Sequence, residues 1–194
     1  MKRGAAITSR IGKRPVDIPE GVTAIIEGGK LTIASQSHRL HLPAPEDFEI
    51  QISQDKLALL PRQAIDSKNR RIGLYRALIA NMVAGVVKPF VKELQLIGTG
   101  FRAEVVEGTL VIRAGYSHPI ELIIPSGLTA AVEKNTVISL ASPDKALVGM
   151  FAAKVKAVRS PDPYKGRGIR YLGEQLTLKP GKAAKAVGGA KVGV

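Results

Sequence analysis

Two stretches of this chain recur later in it, and that recurrence constrains the fold more than any other feature. Glu27-Gly28-Gly29-Lys30-Leu31-Thr32-Ile33 resembles Glu107-Gly108-Thr109-Leu110-Val111-Ile112, and Gly73-Leu74-Tyr75-Arg76-Ala77 resembles Gly149-Met150-Phe151-Ala152-Ala153. In each half, segments of period two come first and one segment of period three to four comes last. Only two copies exist, so this is a duplication and not a solenoid. The expected fold is α+β, with two tandem domains, each an antiparallel sheet packed by one helix. The expected boundaries are a basic arm over 1–15, a first repeat over 16–88, a second over 89–178 and a basic low-complexity tail over 179–194, with Gly85–Lys92 as the joint.

Local patterns fill in the elements. Val22–Glu27 and Lys30–Ala34 flank a Gly-Gly pair and read as a hairpin. Arg39–Leu42 and Phe48–Ile52 alternate at period two, and Lys56–Leu60 is the expected partner of the latter, turning at Gln54-Asp55. The period then changes. Ile72, Tyr75, Ile79, Met82 and Val86 form the stripe of an amphipathic helix, capped by Asp66 or Ser67 and ended by Gly85 and Pro89. The second half predicts strands over Leu94–Ile97, Phe101–Val106, Thr109–Ala114, His118–Ile124, Leu128–Glu133 and Val137–Ala141. Ser142-Pro143-Asp144 then opens a helix as N-cap, first-turn proline and acid at the positive end of the dipole. Its expected buried stripe is Leu147, Phe151, Val155 and Val158, and Pro161 ends it.

Charge is placed unevenly. The net charge is +13. Residues 1–14 hold five Lys or Arg and no acid; residues 154–194 hold ten against Asp162 and Glu174; the 139 residues between are balanced. A neutral body with two basic ends is the footprint of a protein that lays its termini on a polyanion. An anionic membrane is the other polyanion. The C-terminal region is broken by Gly and Pro and lacks a bulky aromatic face, which argues against an interfacial helix. No apolar run approaches the ~18–20 residues of a membrane span. There are no cysteines, so disulfides and thiolate metal sites are excluded, as suits a reducing cytoplasm. The N-terminal residues have no apolar stretch of the secretory type.

The basic C-terminal region is densest at Ser160-Pro161-Asp162-Pro163-Tyr164-Lys165-Gly166-Arg167-Gly168-Ile169-Arg170-Tyr171. As an extended loop it would present Lys165, Arg167 and Arg170 to a row of phosphates. Gly166 and Gly168 would admit close backbone approach, and Tyr164 or Tyr171 would stack on an exposed base. A solvated basic loop that touches no nucleic acid is the competing reading.

Catalytic spacings are missing. Gly98-Thr99-Gly100-Phe101-Arg102-Ala103 matches a dinucleotide fingerprint, but a strand follows it where a helix is required. Gly29-Lys30 lacks the Ser or Thr of a P-loop, and Pro119 spoils Gly115-Tyr116-Ser117-His118 as a nucleophile elbow. His38 and His41 would point to opposite faces of a strand, so they cannot share a metal without a bend. No catalytic residue, cofactor or metal is expected, nor any small-molecule substrate.

These motifs resemble one known family. Ser9-Arg10-Ile11-Gly12-Lys13-Arg14-Pro15, Leu94–Ala103, Gly115–Pro119 and Pro161–Tyr171 stand in the order found in the bacterial-type large-subunit ribosomal protein six family, with the similarity running from about Ser9 to Thr177. Arg167 stands where that signature usually has Lys, which keeps the cation and adds a planar fork. The chain also has extra residues before Ser9 and a longer Ala/Gly/Lys tail. The resemblance implies a non-enzymatic constituent of the cytoplasmic large ribosomal subunit that binds large-subunit ribosomal RNA, mainly through its second domain. It implies a place near the sarcin–ricin loop and stalk base, beside neighbouring ribosomal proteins and docking translation factors. The RNA-binding candidates are Arg159, Tyr164, Lys165, Gly166, Arg167, Gly168 and Arg170, with Lys179, Lys182 and Lys185 of the tail and Arg10, Lys13 and Arg14 of the arm. An assembly factor and a small basic RNA-acting enzyme are the alternatives.

Overall fold

A computed structural model describes residues 10–12, 14–44, 48–53, 55–61 and 71–181. The duplication is visible strand by strand. The first copy runs β1 (Val16–Asp17), β2 (Thr23–Glu27), β3 (Lys30–Ala34), β4 (Arg39–Pro43), β5 (Phe48–Ile52), β6 (Lys56–Pro61) and helix α1 (Arg71–Val87). The second runs β7 (Phe90–Ile97), β8 (Arg102–Val106), β9 (Thr109–Arg113), β10 (Ile120–Ile123), β11 (Thr129–Glu133), β12 (Val137–Ser142) and α2 (Lys145–Val158). Each copy folds into two antiparallel sheets. β2-β3-β4 corresponds to β8-β9-β10, and β5-β6-β1 corresponds to β11-β12-β7. Among the described residues one strand has no counterpart: β13 (Gly168–Tyr171), which adds to the outer edge of β7. The fold is thus a tandem duplicated α+β fold, as expected.

Turn chemistry explains the matching hairpins. Gly28 and Gly29 both take positive φ, +56° and +73°. That is the demand of a two-residue turn whose twist suits antiparallel strands. The later hairpin places Glu107 and Gly108 at the same two positions, with φ of +46° and +77°. The structural correspondence therefore sets Glu107 against Gly28, and Leu110 and Ile112 against Leu31 and Ile33; all four of these aliphatics are fully buried.

The chain divides into two units, one holding residues up to Phe90 with Ser142–Lys145, the other Val91–Ala141 with Ala146 onward. The first unit buries Val16, Leu31, Ile33, Phe48, Leu57 and Leu59 from its strands against Ile72, Ile79, Val83 and Val86 of α1. Phe48 meets Tyr75 edge-on, with ring centroids 6.2 Å apart. Gly85 does not end α1, which runs on to Val87 and is prolonged by the Lys88 N–H bond to the Ala84 carbonyl. It is buried within the helix because a Cβ there would collide with the Pro143 carbonyl and sit 2.9 Å from the Phe90 ring. The proposed caps Asp66 and Ser67, and Gln54 of the β5–β6 turn, lie outside the described residues.

In the second unit the α2 stripe is rotated from the expected one. Val148, Phe151, Ala152 and Val155 are buried, while Leu147 and Val158 are half-buried. Ala152 is fully buried despite its small side chain, a core place that apolar periodicity alone does not reveal. The helix start is as read: the Asp144 N–H donates to Ser142 Oγ at 3.2 Å. Gly98-Thr99-Gly100 is a turn into β8, so no helix N-terminus stands there to hold a pyrophosphate. His41 Nδ1 lies 2.9 Å from Thr32 Oγ1 across β3 and β4.

Candidate nucleic-acid interface

The basic stretch after α2 is not an extended loop. It is a closed turn followed by a strand, and its own backbone hydrogen bonds show why. The Asp162 N–H donates to the Arg167 carbonyl at 2.8 Å, and the Gly166 N–H donates back to the Asp162 carbonyl at 2.9 Å. Asp162 Oδ2 accepts the Lys165 N–H at 3.0 Å, an Asx-type closure of the same turn. Beyond it, Ile169 is fully buried and sits opposite Leu96 in the β7–β13 ladder. Two further bonds tie the strand down: the Ile169 N–H to the Arg159 carbonyl at 2.8 Å and the Leu172 N–H to the Glu93 carbonyl at 2.9 Å.

The turn displays some of the expected side chains and consumes others. Tyr164, Lys165 and Arg167 are exposed, as is Arg159 at the end of α2. Lys179 is exposed as well, and its N–H donates to the Pro163 carbonyl at 2.8 Å, which folds the start of the tail back onto the turn. These bonds gather Arg159, Tyr164, Lys165, Arg167 and Lys179 on one pre-ordered segment of the second unit. Arg170 differs: it lies in β13, half-buried, and its Nε is buried with no hydrogen-bond partner among the described residues. Both glycines face the protein. A Cβ added to Gly166 would lie 3.5 Å from Leu178 Cδ2, and one added to Gly168 would lie 2.7 Å from Pro161 Cα. The fold requires glycine at Gly168 whatever the loop binds.

Tyr171 is also committed internally. Lys92 Nζ and Lys156 Nζ lie 5.0 and 4.8 Å from its ring centroid, so the ring already carries cations. Lys156 Nζ also donates to both oxygens of Glu174, at 2.6 and 2.8 Å, and Glu174 Oε2 accepts the Tyr171 N–H at 3.0 Å. The Lys156 bond, then the Tyr171 N–H, hold the Glu174 carboxyl below the usual range against partial desolvation, with the Lys156 and Arg170 charges adding to the effect.

Sequence reasoning missed Tyr116. Its hydroxyl donates to the Val158 carbonyl at 2.9 Å, satisfying one of the orphan acceptors at the end of α2. Its ring carries the Arg159 guanidinium, 5.3 Å from the centroid. The Gly115–Pro119 turn thereby positions Arg159 beside the basic turn. The only legible signal was an aromatic with a hydroxyl in an otherwise polar loop.

Arg10 and Arg14 are exposed in the first unit, and the Arg76 guanidinium reaches the carbonyls of Arg14 and Pro15 at 3.4 and 3.5 Å. Lys13, Lys182 and Lys185 lie outside the described residues. Among those described, no three His, Asp or Glu side chains gather in a way that would hold a metal.

Two family matches fall on the two repeats: the model described as Ribosomal protein L6 covers residues 18–88 and again 97–172. The chain is also similar to curated proteins named large ribosomal subunit protein uL6. The one from Synechococcus sp. (strain RCC307) is 44% identical over 177 residues, 91% of this chain and 99% of the relative. That from Synechococcus sp. (strain WH7803) is 42% identical over the same shares. That from Prochlorococcus marinus (strain MIT 9211) is 44% identical over 180 residues, again 91% and 99%. With both repeats matched and nearly the whole of each relative covered, this chain belongs to the ribosomal protein L6 family.

Proposed function

We propose that this protein is a structural constituent of the large ribosomal subunit, in the cytoplasm, and that it grips large-subunit ribosomal RNA with the basic turn of its second unit. The observation that carries the reading is the pre-ordered turn itself. Asp162 closes it, β13 anchors it, and Arg159, Lys165, Arg167 and Lys179 stand exposed on it with Tyr164. A turn ordered before binding spends little further entropy on contact. Phosphate contacts from such cations fix position, while RNA shape and 2′-OH contacts supply most selectivity. Tyr164 is the aromatic left to stack on an unpaired base, because the Tyr171 ring is taken.

The arm cations Arg10, Lys13 and Arg14 and the tail cations Lys182 and Lys185 extend the grip along the RNA. The role is bracing and not catalysis. The location in this reading is near the sarcin–ricin loop and the stalk base, beside neighbouring ribosomal proteins, where translation factors dock.

Sedimentation tests the assignment. A tagged copy of the chain should travel with finished large subunits at one copy per particle and stay bound at moderate salt. Presence only on immature particles would instead make it an assembly factor. Nucleotide or RNA turnover by the pure protein would make it an enzyme.

A further inference from the structure

Among the described residues, the duplication fills one position in the second unit that it leaves unfilled in the first. β1 lies on β6 as β7 lies on β12: the Ile18 N–H donates to the Asp55 carbonyl at 2.8 Å, and the Leu96 N–H donates to the Thr136 carbonyl at 2.8 Å. Ile18 therefore corresponds to Leu96, Asp17 to Gln95 and Val16 to Leu94. β7 carries β13 on its outer edge; β1 carries no strand there among the described residues. In place of that strand is an open groove between β1 and α1, lined by Pro15–Pro19 on one side and by Arg76, Ala80, Val83, Ala84 and Val87 on the other. Val87 is 57% exposed, although it sits beside apolar neighbours.

We propose that this groove is a strand-binding slot and that its occupant is an extended segment of a neighbouring protein chain in the ribosomal particle. The proposal rests on the ribosomal reading above only for where the partner is found. The second unit shows what such an occupant must look like. Ile169, opposite Leu96, is fully buried, and Arg170 stands opposite Gln95. An occupant in the same register sets an aliphatic residue opposite Ile18 and, next to it, a residue opposite Asp17. Asp17 is an exposed carboxylate where the second unit has a neutral amide, so the matching cross-strand residue is Lys or Arg. Because Val16 and Ile18 turn their backbone groups to β6, the pleat turns those of Asp17 outward, offering one donor and one acceptor. Pro15 and Pro19 have no N–H to offer. They shorten the ladder and blunt the edge against indiscriminate pairing. Recognition then depends on the aliphatic–basic pair, by addition of a strand to a sheet edge.

The first test uses the purified full-length chain and a synthetic peptide copying Arg167–Gly173, which carries the aliphatic–basic pair. Amide NMR should show saturable shifts at Val16–Ile18 and Ala80–Val87. Replacing the peptide isoleucine by Asp should weaken binding more than about tenfold. Asp17→Lys, an exposed change, should weaken it about threefold or more, and Ala84→Gln should obstruct the groove without disturbing the helix. Absence of saturable shifts there, or indifference to both the isoleucine and Asp17, overturns the slot. The second test places a photo-crosslinker at position 84 in assembled large subunits. A crosslink to a protein segment with an aliphatic–basic pair supports the proposal. A crosslink to RNA, to this chain's own N-terminal residues or to nothing overturns it. If the protein is absent from large subunits the ribosomal reading fails instead, and the peptide titration decides the slot alone.

Discussion

Replacing Gly168 by alanine should uncouple the basic turn from the sheet. The residue has φ of +148°, a conformation that side-chain-bearing residues rarely adopt. A Cβ there would meet Pro161 Cα at 2.7 Å, Pro161 N at 2.8 Å and the Ser160 carbonyl oxygen at 2.8 Å, all of them backbone, so no rotamer change relieves the contact. Backbone strain of this kind costs about 1–3 kcal/mol, and forced overpacking about 1–3 kcal/mol more. The competing escape is to peel β13 away from β7. That exposes Ile169, whose burial is worth about 1.5–3 kcal/mol, and breaks ladder hydrogen bonds worth about 0.5–1.5 kcal/mol each. The two routes cost about the same, so the variant loses about 2–5 kcal/mol, a large share of a stability of about 5–15 kcal/mol. Urea denaturation reads the total. Hydrogen exchange at the Ile169 and Leu172 amides, which bond to Arg159 and Glu93, reads the detachment. Gly173→Ala is the control. Its φ of +82° imposes strain, but nothing lies within 4 Å of the added carbon, so about 1–2 kcal/mol is expected. A Gly168→Ala midpoint equal to the parent's, with both amides still protected, would mean that neither strain nor collision operates at this position.

Gly85→Ala should destabilise although alanine suits helices better by about 1 kcal/mol. The collision with the Pro143 carbonyl outweighs that gain and leaves a net loss of about 1–3 kcal/mol in denaturant titration. Tyr116→Phe removes the hydroxyl bond to the Val158 carbonyl and keeps the ring under Arg159. It should cost about 1 kcal/mol, with Tyr116→Ala costing more. Glu174 has its pKa lowered by folding, so its contribution to stability is fully present above about pH 5 and fades as acid protonates it through its lower folded value. Glu174→Gln should flatten that part of the acid-unfolding profile; an unchanged profile would mean that the Lys156 contact adds nothing.

What was legible in the sequence was what short-range chemistry decides. The Gly28-Gly29 pair announces its hairpin because both positions need positive φ. Ser142-Pro143-Asp144 announces α2 because cap, ring and charge each suit a helix start. β13 was not legible. Its one large aliphatic, Ile169, sits among glycines and cations, and the strand exists only because β7, far back in the chain, has an edge to receive it. The half-burial of Arg170 is hidden for the same reason: it comes from the strand's place against β7, which the local sequence does not announce. The α2 stripe slipped because Ala152 is core only by its fit, which periodicity does not weigh. Tyr116 and Val158 are 42 residues apart, and no local rule couples a tyrosine to a distant helix end.

Chemical footprinting of large-subunit ribosomal RNA, with the parent protein and with Lys165, Arg167 and Lys179 changed together to alanine, across a salt series, tests the RNA grip most directly. Arg170 is left in place because its Nε is buried in the fold. Three lost phosphate contacts should lower the slope of log affinity against log salt by about two to three. The parent should protect one discrete RNA region, and the variant, still folded, should not. Equal protection by both proteins, or diffuse protection that fades identically with salt, would mean that the basic turn does not dock the protein on the RNA.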